Sequence, residues 1–288
     1  MELRGIFPVV YTPFDDSGLV DESDLCKLVD YLLACGVRGL LADGGASECL
    51  YLTPEERKRN VTVILDRVQG RVPVIVGVSA RDTPTQMELA HHAEQSGAYA
   101  VLAAPPPDGA ADTDAIHAHY AALANAVRLP IMVHRYTIPI ATAQIIELMR
   151  ECPNIRYLKE ETPDAAGHLI TELRRHDRSI PIFSGAKYLL DELARGVVGA
   201  IPGSVCVADQ VCAYDCFVRG DLVGARQAHH HALPLLFARR QAYLAWSKEV
   251  LRRQGIFKTA RVREPGQTMD EYDLRELTAI MDAMGEPF

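Results

Sequence analysis

The sequence predicts an α/β protein, a (β/α)8 TIM barrel with a C-terminal helical extension. Three observations lead to this fold class. Eight apolar, strand-like segments alternate with amphipathic helical segments over roughly 200 residues, the usual extent of such a barrel. Several strands are uninterrupted apolar runs, as expected for parallel strands that are buried on both faces. After the eighth strand the pattern is helical only.

The predicted strands cover residues 6–11, 39–43, 72–78, 98–103, 130–134, 155–159, 181–184 and 198–201. The helices between them cover residues 22–35, 54–68, 84–96, 112–127, 142–151, 164–177 and 187–195. Thr53 stands directly before Pro54, and Asp82 stands two residues before Pro84, where their side chains can cap a helix. The rival fold, a doubly wound sheet, normally has a glycine-rich phosphate turn after the first strand. Here residues 11–15 read Tyr-Thr-Pro-Phe-Asp.

The tail of the chain has helical patterns over residues 208–219, 222–238, 240–254 and 269–284. Because no linker rich in proline, glycine or serine isolates these helices, we expect an appendage and not an independent domain. The barrel is predicted to cover residues 1–219 and the extension residues 220–288.

Composition excludes several classes of partner. The chain of 288 residues has a net charge of −8, which argues against nucleic acid and anionic membranes as partners. No apolar run approaches the length of a membrane span, and no signal peptide precedes the first strand. The seven cysteines include no Cys-x-x-Cys pair, which favours reduced thiols over a metal site. We therefore expect a cytoplasmic protein without metal or cofactor.

Lys159 is the candidate nucleophile, because it ends an apolar strand, an unusual place for a lysine. Burial disfavours the ammonium form of a lysine and makes the free amine available for condensation with a ketone. The resulting iminium withdraws electrons from the adjacent carbon, the basis of class I aldol cleavage and of elimination from 2-oxo acids. The alternative is a structural lysine paired with Glu160 or Glu161. Four other lysines lie in helices or a helix-terminal loop and are expected to be solvated: Lys27, Lys58, Lys248 and Lys258.

The turn after the second strand is a second candidate site. Gly44 and Gly45 let the backbone approach a ligand closely, and successive amides form an anion-binding concavity. Together with Ala46 and Ser47, these glycines are predicted to bind a substrate carboxylate.

These positions resemble the dihydrodipicolinate synthase / N-acetylneuraminate lyase family over essentially the whole chain. The resemblance is carried by residues 12–14 (Thr-Pro-Phe), 44–48 (Gly-Gly-Ala-Ser-Glu), 158–160 (Leu-Lys-Glu) and 199–201 (Gly-Ala-Ile). It implies a barrel with three added helices, a homotetramer, and a Schiff base between Lys159 and a small 2-oxo acid such as pyruvate. It also implies that Ile201 lies at the substrate site.

The departures from the family pattern concern proton transfer. Gly45 and Ala46 stand where the family commonly has two hydroxyl side chains, and residues 105–107 (Pro-Pro-Pro) replace a Pro-Tyr-Tyr run. Counting along the fifth strand places His134 at the position of the family tyrosine, whereas a Tyr-x-x-Pro match selects Tyr136. We favour His134, whose neutral ring can accept and return a proton. Strand alternation predicts that Glu161 faces the same way as Lys159, while Glu160 does not.

The sequence thus predicts a Schiff-base lyase, an aldolase or a dehydratase, acting on a 2-keto-3-deoxy sugar acid. Arg135 and Ser204 are candidate contacts to the polyol or to a distal carboxylate. With so many hydroxyls missing, true dihydrodipicolinate synthesis is not expected. Two other classes remain: a family member that only binds a carboxylated metabolite as a sensor, and a metal-dependent barrel aldolase, which needs more histidines at the strand ends than His134 alone.

Overall fold

The computed structural model describes residues 2–106, 112–136, 140–162, 165–176, 179–186, 188–238 and 242–285. Its strands are Gly5–Ile6 (β1), Leu40–Ala42 (β2), Val74–Gly77 (β3), Ala100–Ala103 (β4), Ile131–Arg135 (β5), Ile155–Glu160 (β6), Ile182–Ser184 (β7) and Gly199–Ala200 (β8). They form one parallel sheet in the order β1-β8-β7-β6-β5-β4-β3-β2. The predicted fold class, a (β/α)8 barrel with a helical extension, is confirmed.

The barrel is closed by the chain that follows β1. Val9 forms a parallel bridge with Leu41 of β2. Leu41 N donates to Pro8 O at 3.0 Å, and Val10 N donates to Leu41 O at 2.9 Å. The first strand was predicted over residues 6–11, yet the regular pairing of β1 ends at Ile6. Beyond Ile6, Phe7 N still donates to Ala200 O at 2.9 Å and Val9 N to Pro202 O at 2.8 Å. On the side of β2, Pro8 has no N–H to donate, so no regular ladder forms there.

The barrel helices are Glu22–Ala34 (α1), Pro54–Val68 (α2), Thr83–Gln95 (α3), Thr113–Ala126 (α4), Thr142–Glu151 (α5), Ala165–Arg175 (α6), Leu189–Arg195 (α7) and Val207–Val218 (α8). The predicted capping residues are observed at two of their starts. The Thr53 side chain accepts from Glu56 N, and the Glu56 carboxylate accepts from Thr53 N, a capping box before α2. Asp82 accepts from Thr85 N at the start of α3.

The extension contains Leu222–Phe237 (α9), Tyr243–Arg253 (α10) and Glu271–Met284 (α11). It has an apolar core of its own, in which Ala232, Leu235, Trp246 and Met281 are buried. Val205, at the top of the barrel, belongs to the same cluster, so the extension packs directly on the barrel. Among the described helices, none has the length and hydropathy that crossing a bilayer requires.

Candidate active site

The ends of β5 and β6 bring the predicted nucleophile and its predicted proton carrier side by side. The register pairs His134 with Lys159 and Arg135 with Glu160, after an irregularity between Ile131 and Met132 that leaves Arg156 out of the pairing. Because side chains alternate along a strand, one pair faces the barrel mouth and the other faces away. The irregularity therefore fixes which residues reach the site.

Glu161 contacts both Lys159 and His134. Its Oε2 atom lies 2.8 Å from Lys159 Nζ and 2.6 Å from His134 Nε2. Its backbone N–H donates to Arg135 O at 2.9 Å, which continues the β5–β6 pairing past the end of the strand. Lys159 is buried, with 6% of its surface exposed. The alternation rule that predicted Glu161 beside Lys159 thus agrees with the contacts.

The charges of this cluster follow from its burial and its partners. Burial acts to raise the pKa of Glu161, but Lys159 and the His134 hydrogen bond outweigh it and lower that pKa to about 2. Burial, followed by the charge of Lys159, lowers the pKa of His134 below its ordinary value. An ionised carboxylate only accepts hydrogen bonds, so the proton of a neutral His134 ring belongs on Nε2. Nδ1 is then the acceptor nitrogen.

A cavity of about 710 Å³ opens above Lys159 and is lined by residues from both the barrel and the extension. Of the predicted site residues, it is lined by Lys159, His134, Tyr136, Glu161, Gly45, Ala46 and Ile201. Tyr136 is 57% exposed, and its ring stacks on His134 with centroids 5.8 Å apart. The structure therefore leaves His134, and not Tyr136, in contact with Glu161.

The predicted contact through the Ser47 hydroxyl is not supported by its position. Ser47 Oγ donates to Val10 O at 2.5 Å and accepts from Gly44 N at 3.1 Å. Neither Ser47 nor Gly44 lines the cavity; they hold the turn in which Gly45–Ser47 forms a short 3-10 helix. A side chain added at Gly45 would meet nothing within 4 Å. The turn after β2 thus borders the cavity with the backbone of Gly45 and Ala46.

Arg135 and Ser204, the predicted contacts to a distal group, also point elsewhere. Arg135 forms a buried ion pair with Glu160, whose carboxylate also accepts from Thr162 N at 2.8 Å. Ser204 is fully buried and its hydroxyl donates to Val9 O at 2.5 Å. Neither lines the cavity. For Arg135 the alternation that turns His134 inward is the physical reason.

Glu48 is a cavity residue whose partner the sequence did not reveal. Its Oε1 lies 2.5 Å from Lys248 Nζ, and its Oε2 accepts from the backbone N–H groups of Arg263 and Glu264 at 2.7 and 2.8 Å. Lys248 was expected to be solvated, but it is fully buried on α10, where it contacts Glu48. Burial lowers the pKa of Lys248 to about 8, against the opposing effect of Glu48. This ion pair ties the turn after β2 to α10.

Some residues named from the sequence lie outside the described part of the chain. Pro107 lies outside the described residues, as do Pro163 and Asp164. Among the described residues, no group of three histidine, cysteine or acidic side chains is arranged to hold a metal ion.

The chain resembles proteins of one family along nearly its whole length. The sequence profile of the Dihydrodipicolinate synthetase family matches residues 2–284. The 4-hydroxy-tetrahydrodipicolinate synthase of Bartonella quintana is 31% identical over 241 residues, which cover 81% of this chain and 81% of the relative. The enzyme of the same name from Methanocaldococcus jannaschii is 32% identical over 244 residues, with 82% of each covered.

Solved structures of related proteins have the same fold as this chain. A putative dihydrodipicolinate synthetase from Pseudomonas aeruginosa superimposes with a TM-score of 0.90 at 26% identity, over 98% of this chain and 100% of the other. CdNal from Clostridium difficile, solved with mannosamine, has a TM-score of 0.89 at 21% identity, over 99% and 100%, and shares the fold. Fold and relatives together define a lyase on a (β/α)8 barrel. The chain belongs to the Dihydrodipicolinate synthetase family.

Proposed function

We propose that the protein is an aldolase or dehydratase that forms a Schiff base between Lys159 and a 2-keto-3-deoxy sugar acid. The observation that carries this proposal is the position of Glu161 Oε2, 2.8 Å from Lys159 Nζ and 2.6 Å from His134 Nε2. A carboxylate between an amine and an imidazole can pass protons in both directions. This arrangement supports turnover over simple binding, which needs no such relay.

In the first step, the free amine of Lys159 attacks C2 of the substrate. The two N–H protons and the C2 oxygen leave as one water, and one added proton converts the imine into an iminium. Glu161 is placed to take a proton from Nζ and to pass it to the departing C2 oxygen. Its carboxylate, ionised again, then stabilises the positive charge of the iminium beside it. The substrate carboxylate is assigned to the backbone amides of Gly45 and Ala46, which line the same cavity.

In the second step, one proton from the substrate enters His134 at Nδ1, and the proton on Nε2 passes to Glu161 Oε2, 2.6 Å away. For an aldolase, the proton leaves the C4 hydroxyl, the C3–C4 bond breaks, and its electrons form the enamine. Protonation at C3 and hydrolysis then release pyruvate. For a dehydratase, the proton leaves C3, and the C4 hydroxyl departs with it as water. Both paths use the same acceptor and the same iminium as electron sink.

Turnover of 2-keto-3-deoxy sugar acids, followed by NMR, tests this proposal. Pyruvate with an aldehyde identifies an aldolase, and a 2-oxo acid that has lost water identifies a dehydratase. Lys159→Ala should abolish either reaction. Lys27→Ala is the control and should keep it, because Lys27 is a half-exposed lysine of α1 that pairs with Asp24. If the folded protein consumes none of the 2-keto-3-deoxy sugar acids, the proposal is contradicted.

A second candidate comes from the curated relatives, which are named 4-hydroxy-tetrahydrodipicolinate synthase. Formation of 4-hydroxy-tetrahydrodipicolinate by this protein at a rate above that for every sugar acid would favour this activity. Gly45 and Ala46 carry no hydroxyl at two positions where the family commonly has one, and this departure argues for the sugar acid instead.

We also propose a cytoplasmic homotetramer. Large apolar side chains near the cavity mouth are exposed in the single chain, with Leu50 at 51% and Tyr51 at 40%. Such side chains often mark contacts between subunits. Size-exclusion chromatography with light scattering gives the mass of the assembly, and a monomer at micromolar concentration would contradict the tetramer.

A further inference from the structure

Two tyrosines meet at the wall of the active-site cavity. Tyr11 follows β1 and is fully buried, while Tyr243 is the first residue of α10 in the extension. Their hydroxyl oxygens are 2.8 Å apart, and their rings meet edge to face with centroids 6.4 Å apart. Tyr243 lines the cavity and Tyr11 does not. Tyr11 therefore holds the Tyr243 hydroxyl in a defined place on the wall.

Gly203 makes room for this pair. A Cβ atom at Gly203 would lie 2.0 Å from the Tyr11 hydroxyl oxygen and 2.8 Å from that of Tyr243. Both distances are far below van der Waals contact, so any side chain here would push the pair apart. Gly203 stands just after β8 and lines the cavity itself. The tyrosine hydroxyls thus lie against the backbone at the mouth of the barrel.

A second polar group of the extension supports the same wall. Gln267 lines the cavity, and its side-chain oxygen accepts from Leu244 N at 3.0 Å. This bond fixes the start of α10 directly after Tyr243. The extension therefore adds hydrogen-bonding groups to this wall, Tyr243 and Gln267, beside the acidic Glu264, whose carboxylate accepts from Gln267 Nε2 at 3.4 Å.

Tyr243 and Lys159 line the same cavity, so a substrate bound at Lys159 can extend toward Tyr243. β8 is separated from β6 by one strand, β7, so two strand spacings, about 9 to 10 Å, separate their ends. From C2 to a hydroxyl on C5 or C6 there are four or five bonds, each of which advances an extended chain by about 1.2 Å. With a hydrogen bond of about 2.8 Å, the chain spans about 8 to 9 Å.

We propose that Tyr243, held by Tyr11 against Gly203, is a specificity-determining residue that hydrogen-bonds a hydroxyl on C5 or C6 of the 2-oxo acid. This inference rests on the proposed function, since it takes the substrate to be bound at Lys159. A phenol hydroxyl donates and accepts, as an alcohol does, so the pair suits an uncharged, hydroxylated tail. The extension thereby selects substrates for chemistry performed by the barrel.

The test compares two 2-oxo acids of equal length, 2-keto-3-deoxygluconate and 4-hydroxy-2-oxohexanoate, which lacks the C5 and C6 hydroxyls. The unsubstituted protein should prefer the first in kcat/KM. In Tyr243→Phe this preference should fall about tenfold, through KM, as the loss of one hydrogen bond to a neutral group predicts. Tyr11→Phe and Gly203→Ala should lower it in the same direction. The double variant Y11F/Y243F should be no worse than Y243F, because the two hydroxyls act as one unit.

Tyr272→Phe is the matched control, because Tyr272 is a 68% exposed tyrosine on α11 and does not line the cavity. It should keep the preference of the unsubstituted protein. A preference that is unchanged in both Y243F and Y11F overturns the inference while leaving the proposed function in place. Failure of the unsubstituted protein to give a borohydride-trapped adduct on Lys159 with any 2-oxo acid overturns the proposed function, and this inference with it.

Discussion

His134 Nε2 lies 2.6 Å from Glu161 Oε2, the oxygen atom that Lys159 also contacts. The relationship comes from two adjacent strands and not from a loop. β5 supplies the imidazole and β6 the lysine, and the next inward-facing position after the lysine supplies the carboxylate. Groups on strands are held more rigidly than groups on loops. Lys159 and His134 lie on strands, and Glu161, one residue beyond β6, is held by the hydrogen bond of its N–H to Arg135 O, so all three are positioned before substrate arrives.

Glu161→Gln should remove the proton acceptor while keeping the shape of the side chain. An amide oxygen still accepts a hydrogen bond but has almost no basicity, so kcat should fall about 10²- to 10⁴-fold. Steady-state rates with a 2-keto-3-deoxy sugar acid measure this loss. Glu55→Gln, at an exposed position in the first turn of α2, serves as the control and should keep the rate. A kcat within twofold of the unsubstituted protein in Glu161→Gln would contradict the relay.

The pH profile of kcat/KM should have its acidic limb below the ordinary histidine range of about pH 6.5. Burial and Lys159 lower the pKa of His134, so the ring stays neutral, and able to accept a proton, until the pH falls through that lowered value. Glu161, with a pKa of about 2, remains ionised throughout this range and does not produce the limb. His134→Asn should remove the acidic limb. A limb at or above pH 6.5, or one unchanged in the variant, would contradict this assignment.

Glu161 should also contribute to stability in acid. Its pKa of about 2 lies below the 4.5 of an unperturbed glutamate, so the unfolded chain binds its proton first as the pH falls. The contribution is complete above about pH 4.5 and is lost as the pH falls toward 2. Urea unfolding at pH 5.5 and pH 3.5 should show a larger loss for the unsubstituted protein than for Glu161→Gln. Equal losses in both proteins would argue against the lowered pKa.

Lys248→Met should destabilise the fold, because it leaves the carboxylate of Glu48 buried without its cation. Removing one partner of a buried ion pair lowers the free energy of unfolding by about 3–5 kcal/mol. Lys58→Met, in a pair with Glu88 near the surface, should cause little change. The double variant E48Q/K248M should recover part of the loss. Unfolding in urea measures all three, and an unchanged midpoint in Lys248→Met would show that the pair does not anchor the turn after β2.

The sequence was sufficient where local pattern decides the structure. Strand alternation placed Lys159 and Glu161 on one face, and counting along β5 reached His134. The sequence alone was not sufficient where the partner of a side chain lies far along the chain. Nothing in the helical pattern of α10 distinguishes Lys248, whose partner Glu48 is 200 residues away.

Two further residues show the same limit. Ser47 looked like a ligand because its hydroxyl follows a glycine turn, but the backbone of Val10, which belongs to another strand segment, takes up that hydroxyl. Tyr243 could not be assigned to the site, because no local pattern states where the extension packs on the barrel. Both depend on tertiary contacts, which periodicity and spacing do not encode.

The central claim is the imine on Lys159, and reduction with borohydride in the presence of pyruvate or a 2-keto-3-deoxy sugar acid tests it most directly. We expect a single stable adduct, whose mass matches the reduced 2-oxo acid and which peptide mass spectrometry maps to Lys159. Lys159→Ala should give no adduct. An unmodified protein with every 2-oxo acid, or an adduct on another lysine alone, would contradict the account.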